Sequence, residues 1–189
     1  MAVYTGVSIE DLAHFLAGFD IGDAISLEGI AQGVENSNFR LRTTAGQYIL
    51  TLYEKRVNYK DLPFFLDLMK YLAGSGFPCP TPIGDRKGEM LHRLSGRPAA
   101  IVALAKGDWP RQITADHCRT VGIVLANLHK TAACFPVERA NDQGLPAWRS
   151  ISSALDLRAN KLRPAFVDWI EAELASLESS WPTGLPTGI

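Results

Sequence analysis

Between two strand-like runs the chain carries GVENSNF, from Gly33 through Val34, Glu35, Asn36, Ser37 and Asn38 to Phe39. In a glycine-containing loop between antiparallel strands, backbone N–H groups can point at phosphate oxygens. A bulky side chain at the closest approach would block them. Gly29 and Gly33 bracket Ile-Ala-Gln in this way. Glycine beside asparagine is equally what a plain hairpin turn uses. On the residues alone both readings stand.

The elements that would position these residues can be read from periodicity. Ser8 can cap a helix, with Asp11 three places on, and Ile9, Leu12, Ala13, Leu16 and Phe19 follow at helical spacing. From Ala24 to Glu54 the period changes to two. Ile25, Leu27 and Gly29 begin a strand, and Phe39, Leu41 and Thr43 alternate with Arg40, Arg42 and Thr44 in a second. Thr44 to Gln47 is a turn, where Gly46 tolerates positive φ. Tyr48 to Tyr53 is rich in β-formers, so GVENSNF sits at the first turn of a three-stranded meander.

Asp61 to Ala73 returns to helix, with Leu62, Phe65, Leu66, Met69 and Leu72 on one face. Pro63 fits only in its first turn. Two further strands follow, Met90 to Leu94 and Pro98 to Leu104. Beyond Pro110 the pattern is helical. Thr114 can cap a helix bearing Cys118, Val121, Leu125 and Leu128, and Pro146 to Lys161 and Pro164 to Leu177 read as two more. The expectation is an α+β chain dividing near residues 105–112: strands with one helix, then helices only.

Composition excludes several classes. With 189 residues, 47% hydrophobic and 21% charged, the chain can build a core. A net charge of -1 and no Lys/Arg cluster argue against nucleic acid and against an anionic membrane surface. Cys79, Cys118 and Cys134 are widely spaced with no C-x-x-C, which argues against zinc or a disulfide framework and fits a reducing compartment. The N-terminus lacks a basic region ahead of an apolar run, and no stretch of about 18 apolar residues occurs. The expectation is a cytoplasmic protein with no membrane and no nucleic-acid partner.

A meander, a helix, two strands, a short hinge and then helices is the order of a kinase-like N-lobe and the start of its C-lobe. The residues add a specific likeness. EGIAQGVENSNFRLRTTAGQYILTLYEKR, DLPFFLDLMKYLAGSGFPCPTPI, GRPAAIVALAKGDWP and VGIVLANLHK together resemble the bacterial homoserine kinases of the aminoglycoside-phosphotransferase-like superfamily. The resemblance implies a protein-kinase-like N-lobe, a five-stranded antiparallel sheet plus helix over 1–105. An incomplete helical C-lobe would occupy 106–189. It implies ATP as cosubstrate and transfer of the γ-phosphoryl group to L-homoserine. By position, Gly33, Val34, Glu35, Asn36, Ser37 and Asn38 would cover the phosphates. Ala103, Leu104, Ala105 and Lys106 would form the adenine hinge.

The sequence also departs from that pattern. Kinase-like folds place a lysine on the third strand, held by an acid from the next helix. Here the position falls on Thr51. Lys55 shares its face by alternation, and Arg40 or Arg42 could act from the neighbouring strand. Asp61 and Asp67 are candidates for the acid. The superfamily's H-x-D-x-x-x-x-N segment has no match: none of His14, His92, His117 and His129 is followed two places on by Asp. His129 ends the L-A-N-L-H segment, where the resemblance implies a structural role, and the other three read as surface or packing residues.

The related kinases would run from PTGLPTGI directly into that segment. The resemblance therefore implies Mg2+ ligands and catalytic residues beyond Ile189, and no turnover by these residues alone. A kinase for another small alcohol, of choline or aminoglycoside type, and a non-catalytic nucleotide-binding module are the alternatives.

Overall fold

The computed structural model describes residues 3–32, 35–54, 58–108, 110–155 and 157–184. Ser8 opens α1 (Ile9–Leu16), its hydroxyl accepting the Asp11 N–H at 3.0 Å. Leu12, Leu16 and Phe19 are buried, whereas Ile9, part of the expected apolar stripe, is exposed.

The meander forms as expected, from β1 (Ala24–Gly29), β2 (Ser37–Thr43) and β3 (Gln47–Leu52). Its second turn is stabilised differently from the expectation. Gly46 is not in the left-handed region. Instead Thr43 Oγ1 accepts the N–H groups of Ala45 and Gly46, both at 3.2 Å.

Three further strands complete the sheet: β4 (Pro82–Ile83), β5 (His92–Leu94) and β6 (Arg97–Ala103). The order is β1-β2-β3-β6-β4, with β5 also on β6 and every pairing antiparallel. The sheet thus has six strands, not five. The extra one, β4, lies in the proline-rich FPCPTPI run, where the residues carry no alternation. Pro82 lacks an N–H and is tolerated because β4 is an edge strand. Ser95 and Gly96 close the β5–β6 hairpin with φ of 48° and 76°, the pair of positive values that a two-residue turn matching strand twist requires.

Alternation along β2 separates two faces. Phe39, Leu41 and Thr43 are buried, and Leu50, opposite Phe39, and Leu52, opposite Ser37, join Ala99 and Ile101 in a core roofed by Leu12, Leu16 and Phe19. Asn38, Arg40 and Arg42 point the other way, on the face that Thr51 shares.

A 3-10 turn at Tyr59–Asp61 leads into α2 (Leu62–Gly74), with Pro63 in its first turn. Leu62, Leu66 and Leu72 are buried, while Phe65, expected among them, is 39% exposed. Thr114 caps α3 (Ala115–Ala132) in a reciprocal box: its hydroxyl accepts the His117 N–H, and its own N–H donates to His117 Nδ1. Val121 and Leu125 of the expected apolar stripe are exposed.

Two helices close the chain, α4 (Leu145–Ser153) and α5 (Phe166–Ser180). The helix expected over 146–161 ends at Ser153. Arg149 joins the two, with Nε and Nη2 each 2.6 Å from a carboxylate oxygen of Glu178 and Nη1 on Glu171.

Strands give way to helices after Ala103, as read from the sequence. The chain divides into two compact units, 1–137 and 138–189. Packing places α3 in the first of them. Phe135, just past α3, stacks its ring against Phe64 and Tyr71 of α2, at centroid distances of 5.7 and 5.3 Å. This ties α3 to the strand-bearing part.

Candidate functional site

The β1–β2 turn is shorter than the sequence implied. Gly29 pairs with Phe39, and the Ile30 N–H still donates to Asn38 O at 2.8 Å. Ser37 and Asn38, expected in a phosphate-covering loop, are ladder residues of β2 opposite Leu52 and Thr51.

Ser37 faces the core and is fully buried. Its Oγ accepts the N–H groups of Tyr4 and Thr5, at 2.8 and 3.1 Å, and donates to Glu54 Oε1 at 2.7 Å. The other Glu54 oxygen lies 3.0 Å from Arg97 Nε, and the Glu54 side chain is 7% exposed. Ser37 therefore cannot present its hydroxyl to a phosphate; its lone pairs and proton are committed to the fold. The cause is the strand period, which turns Ser37 inward and Asn38 outward.

Asn38 occupies the open face, where its Oδ1 accepts the Thr51 hydroxyl at 2.8 Å. Asn36 Oδ1 receives the Glu54 N–H at 3.5 Å, and Glu35 is exposed. Gly33 and Val34 lie outside the described residues. Gly29 serves packing: a Cβ there would sit 2.8 Å from Val3 Cγ2.

The third-strand position holds Thr51, with Arg40 and Arg42 exposed on the adjoining strand of the same face. Arg40 stands opposite Ile49 on β3 and Glu28 on β1. Burial pushes the Tyr53 phenol above its ordinary value. Lys55 lies outside the described residues. Asp61 precedes α2, and Asp67 is exposed on that helix.

At the hinge, Ala103 donates its N–H to Thr81 O at 2.8 Å and Leu104 donates to Gln47 O at 3.3 Å. Among the described residues the Ala105 N–H has no such partner. Pro78, Thr81, Ala103, Leu104 and Ala105 line an open pocket of about 280 Å³. Cys79 borders it, and burial raises its thiol pKa.

Of the histidines, His129 is exposed in the last turn of α3, His117 belongs to the capping box, and His14 is exposed. His92 packs edge-on against Phe15 and Phe19, at 5.9 and 5.1 Å between centroids. Among the described residues no group of three or more His, Cys, Asp or Glu side chains is placed to hold a metal ion.

Sequence reasoning missed Glu54 and Arg97. Glu54 stands in LYEKR, one of the stretches that carried the resemblance, and that is the signal available for it.

The model of the phosphotransferase enzyme family matches residues 26–189. The chain belongs to that family. Over 189 residues, all of this chain, it is 50% identical to a homoserine kinase of Afipia carboxidovorans and 51% identical to one of Xanthobacter autotrophicus. It spans 58% and 59% of those proteins' lengths. Among solved structures, a spectinomycin phosphotransferase in complex with ADP and spectinomycin is 18% identical, with a TM-score of 0.60 over 92% of this chain and 55% of that one. A microcompartment-associated aminopropanol kinase is 19% identical, with a TM-score of 0.56 over 82% of this chain and 56% of that one. These two establish that the phosphotransferase chain shares their α+β fold.

Proposed function

We propose that this phosphotransferase-family chain is the nucleotide-binding portion of a homoserine kinase. Such an enzyme moves the γ-phosphoryl group of ATP to the side-chain hydroxyl of L-homoserine. The hydroxyl oxygen forms a bond to phosphorus, the bond to the β-phosphate oxygen breaks, and the hydroxyl proton is lost. ADP and O-phosphohomoserine, a threonine precursor, result. The observation that carries the reading is identity of about half the residues, spread over the whole chain, with kinases of that name.

The geometry fits the nucleotide part of the reaction. Phosphoryl transfer depends on holding the reactants in line and neutralising charge. In this reading adenine meets the hinge at 103–106, where the Ala105 N–H is available to a base edge. The polyphosphate runs beneath the β1–β2 turn, from Gly33 to Asn38. Ser37 supports the strand from inside the sheet without meeting the phosphates, and Asn38 and Thr51 lie on the open face. Arg40 and Arg42 are exposed on that face, and Lys55 follows β3 in the sequence. Residues 1–105 form the nucleotide lobe and 106–189 the beginning of a helical one. No step is assigned to Mg2+, because the described residues offer it no ligand group. The widely spaced thiols fit a cytoplasmic setting.

Two measurements test this. Calorimetric titration of ATP into the 189-residue chain should show saturable binding. Fusion to the part of the Afipia relative that this chain does not match should then give ADP release dependent on L-homoserine. These 189 residues contain no His-x-Asp segment, so turnover is expected of the fused chain alone. A fused chain that prefers choline or an aminoglycoside would overturn the substrate assignment, and absent ATP binding would overturn the nucleotide reading.

A further inference from the structure

Thr51 stands where kinase-like folds carry a lysine for the phosphates, and its side chain is too short and uncharged for that work. It makes a different contact. Asn38 faces it across the β2–β3 ladder, on the same side of the sheet. The Thr51 hydroxyl donates to Asn38 Oδ1 at 2.8 Å. Both residues are half-buried. Ala100, beside Thr51 on β6, is only 1% exposed, whereas Arg40, two residues beyond Asn38, is exposed. The pair therefore lies where this face passes from covered to open.

A side-chain amide has an acceptor end and a donor end. Here the acceptor end is committed to Thr51. Among the described residues nothing accepts from Asn38 Nδ2. Glu28 stands opposite Arg40 and offsets part of its charge, which leaves the neutral amide as the main donor at this point of the face. A group that offers donors alone suits a phosphate, whose oxygens only accept. It suits a base edge less well, because that presents donors and acceptors side by side.

We infer that Asn38, oriented by Thr51, donates to the polyphosphate of a nucleoside triphosphate in place of the usual third-strand lysine. The inference rests on the nucleotide reading above and deepens it. Asn38 is the contact residue. Thr51 is a positioning residue that acts through it. Both are ladder residues, held in place by strand pairing.

The role of Thr51 is one of populations. An amide without the hydroxyl can present either end to the ligand, and its oxygen would repel a phosphate. If losing the hydroxyl leaves the donor-forward amide about one-third populated, apparent ATP affinity falls about threefold.

The test compares Asn38→Leu, Thr51→Val and Thr51→Ser with the parent 189-residue chain, each titrated with ATP and with adenosine. Asn38→Leu removes the donors at similar size and adds no charge. Thr51→Val removes the hydroxyl and keeps the β-branched shape. Thr51→Ser keeps the hydroxyl. Melting temperatures show which variants are folded, and if Asn38→Leu does not fold, the Thr51 pair decides by itself.

ATP affinity should fall about tenfold in Asn38→Leu, the worth of one hydrogen bond to a charged group. It should fall about threefold in Thr51→Val and stay at the parent value in Thr51→Ser. Adenosine should bind all four proteins alike. An Asn38→Leu chain that binds ATP as the parent does, or that loses adenosine in step with ATP, overturns the phosphate contact. Thr51→Val at the parent affinity, or Thr51→Ser as weak as Thr51→Val, overturns the positioning role. A parent chain that binds neither ligand overturns the nucleotide reading and this inference with it. A parent that binds ATP beside an unaffected Asn38→Leu overturns this inference alone.

Discussion

Ser37 Oγ donates to Glu54 Oε1 at 2.7 Å, joining the first residue of β2 to the chain just beyond β3. The two residues come from GVENSNF and LYEKR, the stretches on which the family likeness was first seen. One hydrogen bond therefore links both. It also explains why a carboxylate sits at a largely buried position: Glu54 is shared between Ser37 and Arg97.

Glu54→Gln keeps an acceptor for Ser37 and discards the charge that pairs with Arg97. The expected loss of folding free energy is about 2 kcal/mol, the range for hydrogen bonds to charged groups. Ser37→Ala should cost a similar amount, because it strands the Tyr4 and Thr5 N–H groups. Urea denaturation reads both. Variants as stable as the parent would show that the network contributes nothing.

Leu50 is fully buried at the centre of the sheet, between Phe39 and Ile101 across its neighbouring strands. Leu50→Ala should lower stability by about 3 kcal/mol, the transfer loss plus a cavity that rigid strands cannot collapse. A shift in urea midpoint without a change in slope is the expected signature.

The Ala105 N–H lies past the last strand bond at Leu104. Ala105→Pro removes that donor while sparing both hinge bonds of Ala103 and Leu104. ATP affinity should fall about three- to tenfold, the worth of one hydrogen bond, with little change in melting. Unaltered affinity would remove Ala105 from the adenine site.

Arg149 hydrogen-bonds Glu178 and holds its carboxyl below the ordinary value of 4.5. A lowered folded pKa means that the ionised form favours the fold. The contribution is complete above the unfolded value and is lost as pH falls through the folded one. Melting of the 138–189 unit, followed by Trp148 and Trp181 fluorescence, should therefore decline below about pH 4.3. Glu178→Gln should flatten that decline. Asp142, held low by Arg139, has the same sign and leaves a residual slope. An identical decline in parent and variant would count against the Arg149 pair.

Much of the fold was legible because its signals are local. The switch from period two to helical spacing placed the meander, α2 and the later helices, and Ser8 and Thr114 marked helix starts where they occur. β4 was not legible, since two proline-flanked residues show no period. The end of α4 at Ser153 was also missed, because helical spacing continued past it. His92 read as a surface residue because its aromatic partners, Phe15 and Phe19, lie more than seventy residues away in sequence.

The sequence by itself determined the kind of protein: a strand meander followed by helices, with residue patterns specific enough to resemble one kinase family. Only the tertiary structure decided what the residues of GVENSNF do. Composition cannot tell an inward serine from an outward one, because strand register and not residue type sets the face. Register turned Ser37 into the core to meet Glu54 and the N-terminal segment, left Asn38 outside against Thr51, and gave Gly29 to Val3.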